Sequence, residues 1–217
     1  YTDNPGERWK NMLLVAFGQK KMFKNVTPAV LHFFIYFGFV ITQVELIEIF
    51  IDGFTGSHRI IYHAIEDNSV LRFCYVFIIS FIELVSVFVF IATISFLSRR
   101  FLIKVPRLNK PELKGFPVQD AAIILFSEIY LLTCIFSMNT ADMAMHHGEY
   151  GFLVSGWLMP LFHGWGPQAL HLVERLGWWG HIFGVFALLA YLPYSKHLHI
   201  LLAFPNTYFS RLTPKGY

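Results

Sequence analysis

Four stretches of this 217-residue chain are too long and too apolar to be ordinary helices of a water-soluble domain. A helix crossing the hydrocarbon core of a bilayer needs about 20 mostly apolar residues. Residues 29–51, 70–98, 118–138 and 177–204 each supply such a run, and Pro28 stands where a helix tolerates proline best, in its first turn. Composition agrees, because 24 Phe residues in a chain only 14% charged cannot all hide in one core. A disordered chain, a disulfide scaffold and an ordinary cytosolic enzyme are excluded. The expected fold class is all-α, an integral membrane helix bundle with four transmembrane helices. Residues 151–161 are apolar but too short to span, and read as a re-entrant or interfacial piece.

Lysine and arginine set the orientation. Arg8, Lys10, Lys20, Lys21 and Lys24 precede the first span, Arg99, Arg100, Lys104, Arg107, Lys110 and Lys114 separate the second from the third, and Lys196, Arg211 and Lys215 close the chain. The opposite loops carry only Arg59, Arg72 and Arg175. Both ends are therefore expected on the cytoplasmic side, with Trp157, Trp165, Trp178 and Trp179 as an aromatic belt on the other. Three regions follow: a basic lead-in over 1–27, a bundle over 28–204 and a cytoplasmic tail over 205–217. The chain does not begin with Met and reads as a piece of a longer protein. Its cysteines, Cys74 and Cys134, lie in apolar runs and form no C-x-x-C pair, so no iron–sulfur cluster is expected within it. The basic residues flank apolar segments instead of forming one patch, so lipid is the expected surroundings and nucleic acid is not a partner.

Histidine is costly inside a membrane and marks function there. Four of the ten, His32, His181, His197 and His199, fall within or at the ends of spans. In a continuous helix, His181 and His199 would share one face about 27 Å apart, with His197 pointing about 160° from His181. His32, one turn into the first span, matches His199 in depth. Two facing imidazoles are what a bis-histidyl b haem requires, and Gly38 would let a flat macrocycle approach. The competing reading is that these histidines reach the headgroups as interfacial side chains. His58, His63, His146, His147, His163 and His171 are expected in outer loops or the short apolar piece. A metal site made of His146, His147 and His163 is conceivable, although adjacent loop histidines are more often solvated.

The first span also carries Glu45, Glu48 and Asp52 on one face, turned away from His32. Buried carboxylates in a membrane belong either to a proton path or to pairs, here with Gln43, Arg59 or a basic residue of a partner. Spacing leaves both readings open, and it does not decide the roles of Glu83 and Glu128. Asp142 and Glu149 read as solvated loop residues.

The segment from His181 to His199 resembles the last helix of the nitrate reductase gamma subunit family, including its ending Pro193, Tyr194, Ser195, Lys196, His197, Leu198 and His199. Residues 31–40 resemble the other ligand helix of that family. The runs WKNMLLVAFGQKKM and LPYSKHLHILLAFPN and the closing TPKG are similar to the membrane part of bacterial heterodisulfide-reductase-like iron–sulfur proteins. The resemblance implies a cytochrome b module in the bacterial cytoplasmic membrane, with one or two haems b. Electrons would pass between a cytoplasmic iron–sulfur domain or subunit, beyond the tail, and the menaquinone or ubiquinone pool. Quinone would be the substrate, with Glu45, Glu48 and Asp52 as its proton candidates. His32 and His199 would ligate the proximal haem. The second ligand histidine of the family, ten residues after the first, is Thr42 here, which leaves His181 to pair with His58, His146 or His147, or leaves one haem only. The family has five spans, so a further helix is expected before Tyr1. A proton-coupled transporter or channel subunit and a haem-free anchor of a redox complex are the alternatives.

Overall fold

A computed structural model describes residues 3–20, 22–108, 110–146, 148 and 150–212. It is all helical, with no strand among the described residues. Helix α1 is Pro5–Met12, α2 Val26–Ile41, α3 Gln43–Thr55, α4 Ile60–Ile65, α5 Ser69–Leu97, α6 Phe116–His146, α7 Leu153–Leu158, α8 Pro167–Tyr191 and α9 His199–Tyr208. Four segments are long and apolar enough to cross a membrane: Val26–Thr55, made of α2 and α3 in line, Ser69–Leu102, Phe116–His146 and Pro167–Tyr194.

Local chemistry sets these boundaries. Asn68 caps α5, its Oδ1 accepting from the amides of Val70 and Leu71 at 3.1 Å each. Between α2 and α3 the Thr42 hydroxyl donates back to the Gly38 carbonyl at 2.9 Å. The fourth span departs from expectation. It begins about ten residues earlier, where Pro167 occupies the first turn, and α8 stops at Tyr191. Pro193 brings no amide hydrogen to continue the ladder, and Ser195 is extended (φ −103°, ψ 152°). His181 and His199 therefore do not lie on one helix, and the same-face argument does not apply to them.

The bundle is apolar outside and polar inside. Phe54 is 89% exposed, and Phe73, Phe77 and Phe183 also face outward, whereas Glu45, Glu48, Arg59, Glu83, Asp120, Asn139 and Asp142 are buried. That inversion is what hydrocarbon surroundings demand. Three of the expected belt tryptophans, Trp157, Trp165 and Trp179, are exposed. Trp178 instead packs inward against Ile49, Ile135, Met138 and Ile182, above Gly53.

Glycines decide how closely the helices approach. On α8, Gly177, Gly180 and Gly184 form a stripe against α6. A Cβ at Gly177 would lie 2.7 Å from the Cys134 carbonyl oxygen, and one at Gly184 would lie 2.7 Å from the Leu131 side chain. Gly38 serves the same end on one side, where a Cβ would lie 2.2 Å from a Val89 methyl of α5, and it also lines the cleft between the helices.

The short apolar piece is α7 with the turn that follows it. Its N-terminus is buried, and the Glu83 carboxylate on α5 caps it, accepting from the amides of Val154 (2.7 Å) and Ser155 (3.1 Å) and from the Ser155 hydroxyl. At the other end of the molecule α1 clasps α9. Buried Arg8 donates to the carbonyls of Tyr208 (2.9 Å) and Ser210 (2.8 Å), and Asn11 donates to that of Thr207 (2.9 Å).

Replacing Gly177 by Ala pushes α8 off a backbone oxygen that cannot yield. The expected cost is about 1–3 kcal/mol, read as a lower melting temperature in detergent, while the same change at Gly6 of α1, where nothing lies within 4 Å, does not lower it.

Candidate functional site

Two polar centres lie at opposite ends of the bundle, with an apolar cleft between them. At the basic end the fold brings His32 of α2 against His199, the first residue of α9, with ring centres 6.2 Å apart and planes inclined at 45°. The linker between α8 and α9 reaches this position because buried Asp120 on α6 holds it. Its carboxylate accepts from the Tyr191 hydroxyl (2.9 Å) and the Lys196 amide (3.2 Å). Each imidazole is fixed through one nitrogen. His199 Nδ1 donates to the Lys196 carbonyl at 2.9 Å, and His32 Nδ1 lies 3.1 Å from Gln19 Oε1. That arrangement selects the tautomer in which Nε2 keeps its lone pair.

His181 is held in the same manner. The glycine stripe brings α8 so near α6 that His181 Nδ1 meets the Leu131 carbonyl at 3.3 Å. The residue lines a cleft with about 1350 Å³ of atom-free space, part of it open to the outside. Thr42, Glu128 and His197 share that cleft. His197 had been expected to point away from His181, and the break after Tyr191 turns it onto the same cavity. Burial, then the neighbouring His199, hold the His197 imidazole below the usual histidine pKa. Glu128 has no hydrogen-bond partner or counter-ion among the described residues.

The expected partners of His181 stand elsewhere. His58 and His146 stack at the far end of the bundle, ring centres 5.0 Å apart, and His58 lines a different cavity with Asp52, Asp142 and Glu174. His147 and Glu149 lie outside the described residues. His163 and His171 are exposed.

At that far end a buried guanidinium organises the carboxylates. Arg59 Nη1 is 3.4 Å from Glu45 and 3.3 Å from Glu48, its Nε is 3.6 Å from Asp142, and its Nη2 donates to Asn139 Oδ1 at 2.9 Å. The Tyr75 hydroxyl donates to Glu48 at 2.6 Å, and the Asn139 amide donates to Glu45 at 3.1 Å. Asp52 caps α4, accepting from the amides of Arg59 (2.9 Å) and Ile60 (3.0 Å). Pairing with Arg59, the simpler of the two readings of Glu45 and Glu48, is thus present in full. Burial alone would lower the Arg59 pKa, but the surrounding carboxylates raise it, so the side chain stays charged. Asp142, expected to be solvated, is 1% exposed, and its Oδ1 is 3.1 Å from His58 Nε2 and 2.6 Å from His146 Nδ1. Sequence offered a signal for it, since Asp142 and His146 stand four residues apart on one helix face. Asp120 was also missed, although a carboxylate inside a span is itself a flag.

Two curated proteins are similar to the chain. One, from Bacillus subtilis (strain 168), is named "Probable iron-sulfur-binding oxidoreductase FadF" and is 25% identical over 212 residues, 97% of this chain and 28% of that protein. The other, the "EtfAB:quinone oxidoreductase" of Syntrophomonas wolfei, is 25% identical over 229 residues, 99% of this chain and 29% of that protein. The chain thus spans less than a third of the length of these relatives. No family model matches it, and no solved structure does.

Replacing Arg59 by Met leaves buried carboxylates without their cation. The expected destabilisation is about 3–5 kcal/mol, measured by thermal unfolding in detergent. His58 makes a smaller, pH-dependent contribution. Its hydrogen bond to Asp142 raises its pKa above the ordinary 6.5, against burial, with Glu174 adding to the rise and Arg59 opposing it. Because the folded pKa exceeds the unfolded one, the stabilisation is complete below pH 6.5 and fades as pH rises through the folded value. The melting-temperature difference between wild type and His58→Gln should accordingly be largest in acid and shrink above neutrality.

Proposed function

We propose that this chain is a membrane cytochrome b module, passing electrons between an iron–sulfur domain or subunit on its basic, cytoplasmic side and the quinone pool. The observation that carries the reading is the His32–His199 pair. The two residues fit a haem b: their ring centres are 6.2 Å apart, each Nδ1 is engaged, and each Nε2 would be left to hold its iron. Bound there, a haem b would supply one-electron transfer. Gln19 and the Lys196 carbonyl would orient the two ligands through their Nδ1 atoms, and the α1–α9 clasp would hold the helix that carries His199.

The likeness to an iron-sulfur-binding oxidoreductase and to an EtfAB:quinone oxidoreductase supports the iron–sulfur and quinone ends of the route. The His181 cleft is the second locus. Its Nδ1 donates to a carbonyl, so its Nε2 is an acceptor, suited either to a second iron or to a quinol hydroxyl. Thr42 offers no imidazole across the cleft, and the unpaired carboxyl of Glu128 there favours quinol.

The test is a reduced-minus-oxidised visible spectrum with pyridine haemochrome quantification of the purified protein. A b-type band lost in His199→Ala and His32→Ala is the expected result, and folded protein without any haem band sinks the proposal. One haem per chain leaves the His181 cleft to quinol, while two, the second lost in His181→Ala, assign His181 to iron. Gln19→Leu should keep the band but weaken haem retention about tenfold or more.

A further inference from the structure

We propose that His58, Asp142 and His146 form a binding site for a divalent first-row transition-metal ion, at the end of the bundle opposite the His32–His199 pair. One ligand atom of each residue lies within 4.8 Å of the others. Asp142 Oδ1 is 3.1 Å from His58 Nε2 and 2.6 Å from His146 Nδ1. A tetrahedral ion with bonds of about 2.0–2.1 Å holds its ligand atoms about 3.3 Å apart, so closing round one requires side-chain shifts and no backbone movement. Two imidazoles and one carboxylate, with no thiolate, select zinc or iron(II)-like ions over calcium or magnesium.

The donors are held in advance. Asp142 and His146 stand one turn apart on α6. His58 follows α3 in a short loop whose next residue, Arg59, is locked by Glu45, Glu48 and Asn139 and whose amide is capped by Asp52. Asp142 divides its oxygens, Oδ2 toward Arg59 Nε at 3.6 Å and Oδ1 toward the two imidazoles. The rings of both histidines also lie against Tyr150, at 5.6 and 5.7 Å.

Electrostatics favours a cation at this point. Glu45, Glu48 and Asp142 are buried around the single guanidinium of Arg59, and Arg175 is engaged by Glu174. An ion there displaces the two imidazole protons that now face Oδ1, each moving to the other ring nitrogen or leaving as a proton. The His58 and His146 side chains are 35% and 40% exposed. A cavity lined by His58, Asp142, Glu174 and Trp178 adjoins them, so the ion keeps open positions for water or an anionic ligand.

The experiment uses untagged protein in detergent, stripped with a chelator and titrated with Co2+ by visible absorption, then with Zn2+ in competition. One equivalent per chain should bind, giving a cobalt d–d band that Zn2+ abolishes. His146→Ala and His58→Gln should each weaken binding by about tenfold or more. His163→Ala, in an exposed loop outside the cluster, should not. Absence of a saturable band in folded wild type overturns the proposal, and so does wild-type affinity in either cluster variant that melts cooperatively. The haem band is read separately and does not depend on this site.

Discussion

A charged guanidinium inside an apolar-walled bundle is the constraint on which the far half of this structure depends. Arg59 is only 3% exposed, so nearly all of it must meet protein. Glu45 and Glu48 come to it from α3, Asn139 and Asp142 from α6, and Phe152 lies under its guanidinium at 4.7 Å. The same carboxylates engage Tyr75 of α5 and the Ile61 amide of α4. The network around this one side chain thus joins four helices, α3, α4, α5 and α6. Hydrophobic burial, which would fasten a soluble core, gives little preference for one helix packing over another when the surroundings are also hydrocarbon.

The basic end and the cleft beside it are built by the same rule with weaker groups. Backbone carbonyls orient His181 and His199, an amide side chain meets His32, and Asp120 holds the linker that delivers His197 and His199. Glycines on α8 make the first of these contacts possible, because a carbonyl on α6 is within reach of His181 only when the two backbones nearly touch. The placement of the imidazoles is therefore a property of helix spacing as much as of the histidines themselves.

Much of this was legible in the sequence, for reasons that also explain what was not. Hydropathy and length found the first three spans, since lipid exposure writes itself directly into composition. The fourth was displaced because Glu174 and Arg175 lower the local apolarity of α8, yet neutralise one another side by side. The helix beyond Tyr191 was overextended because Pro193 can bend a helix or end it, and only the Asp120 contacts decide between these. The pairing of His32 with His199 was anticipated from depth. Its route was not, since α9 is a separate helix. Asp142 was read as solvated because burial at a span's end depends on a loop folding back over it, which its spacing from His146 does not encode.

The clasp between α1 and α9 gives the histidine pair a mechanical character. Helix α9 is about 15 Å long, with His199 as its first residue, Pro205 inside it and its last turn held by Arg8 and Asn11. The segment that carries those two residues leads on to Gln19, which steadies His32. Both imidazoles are thus levers on a single small frame. A displacement of that frame reaches both imidazoles together, so the two rings move as parts of one frame and not as independent side chains.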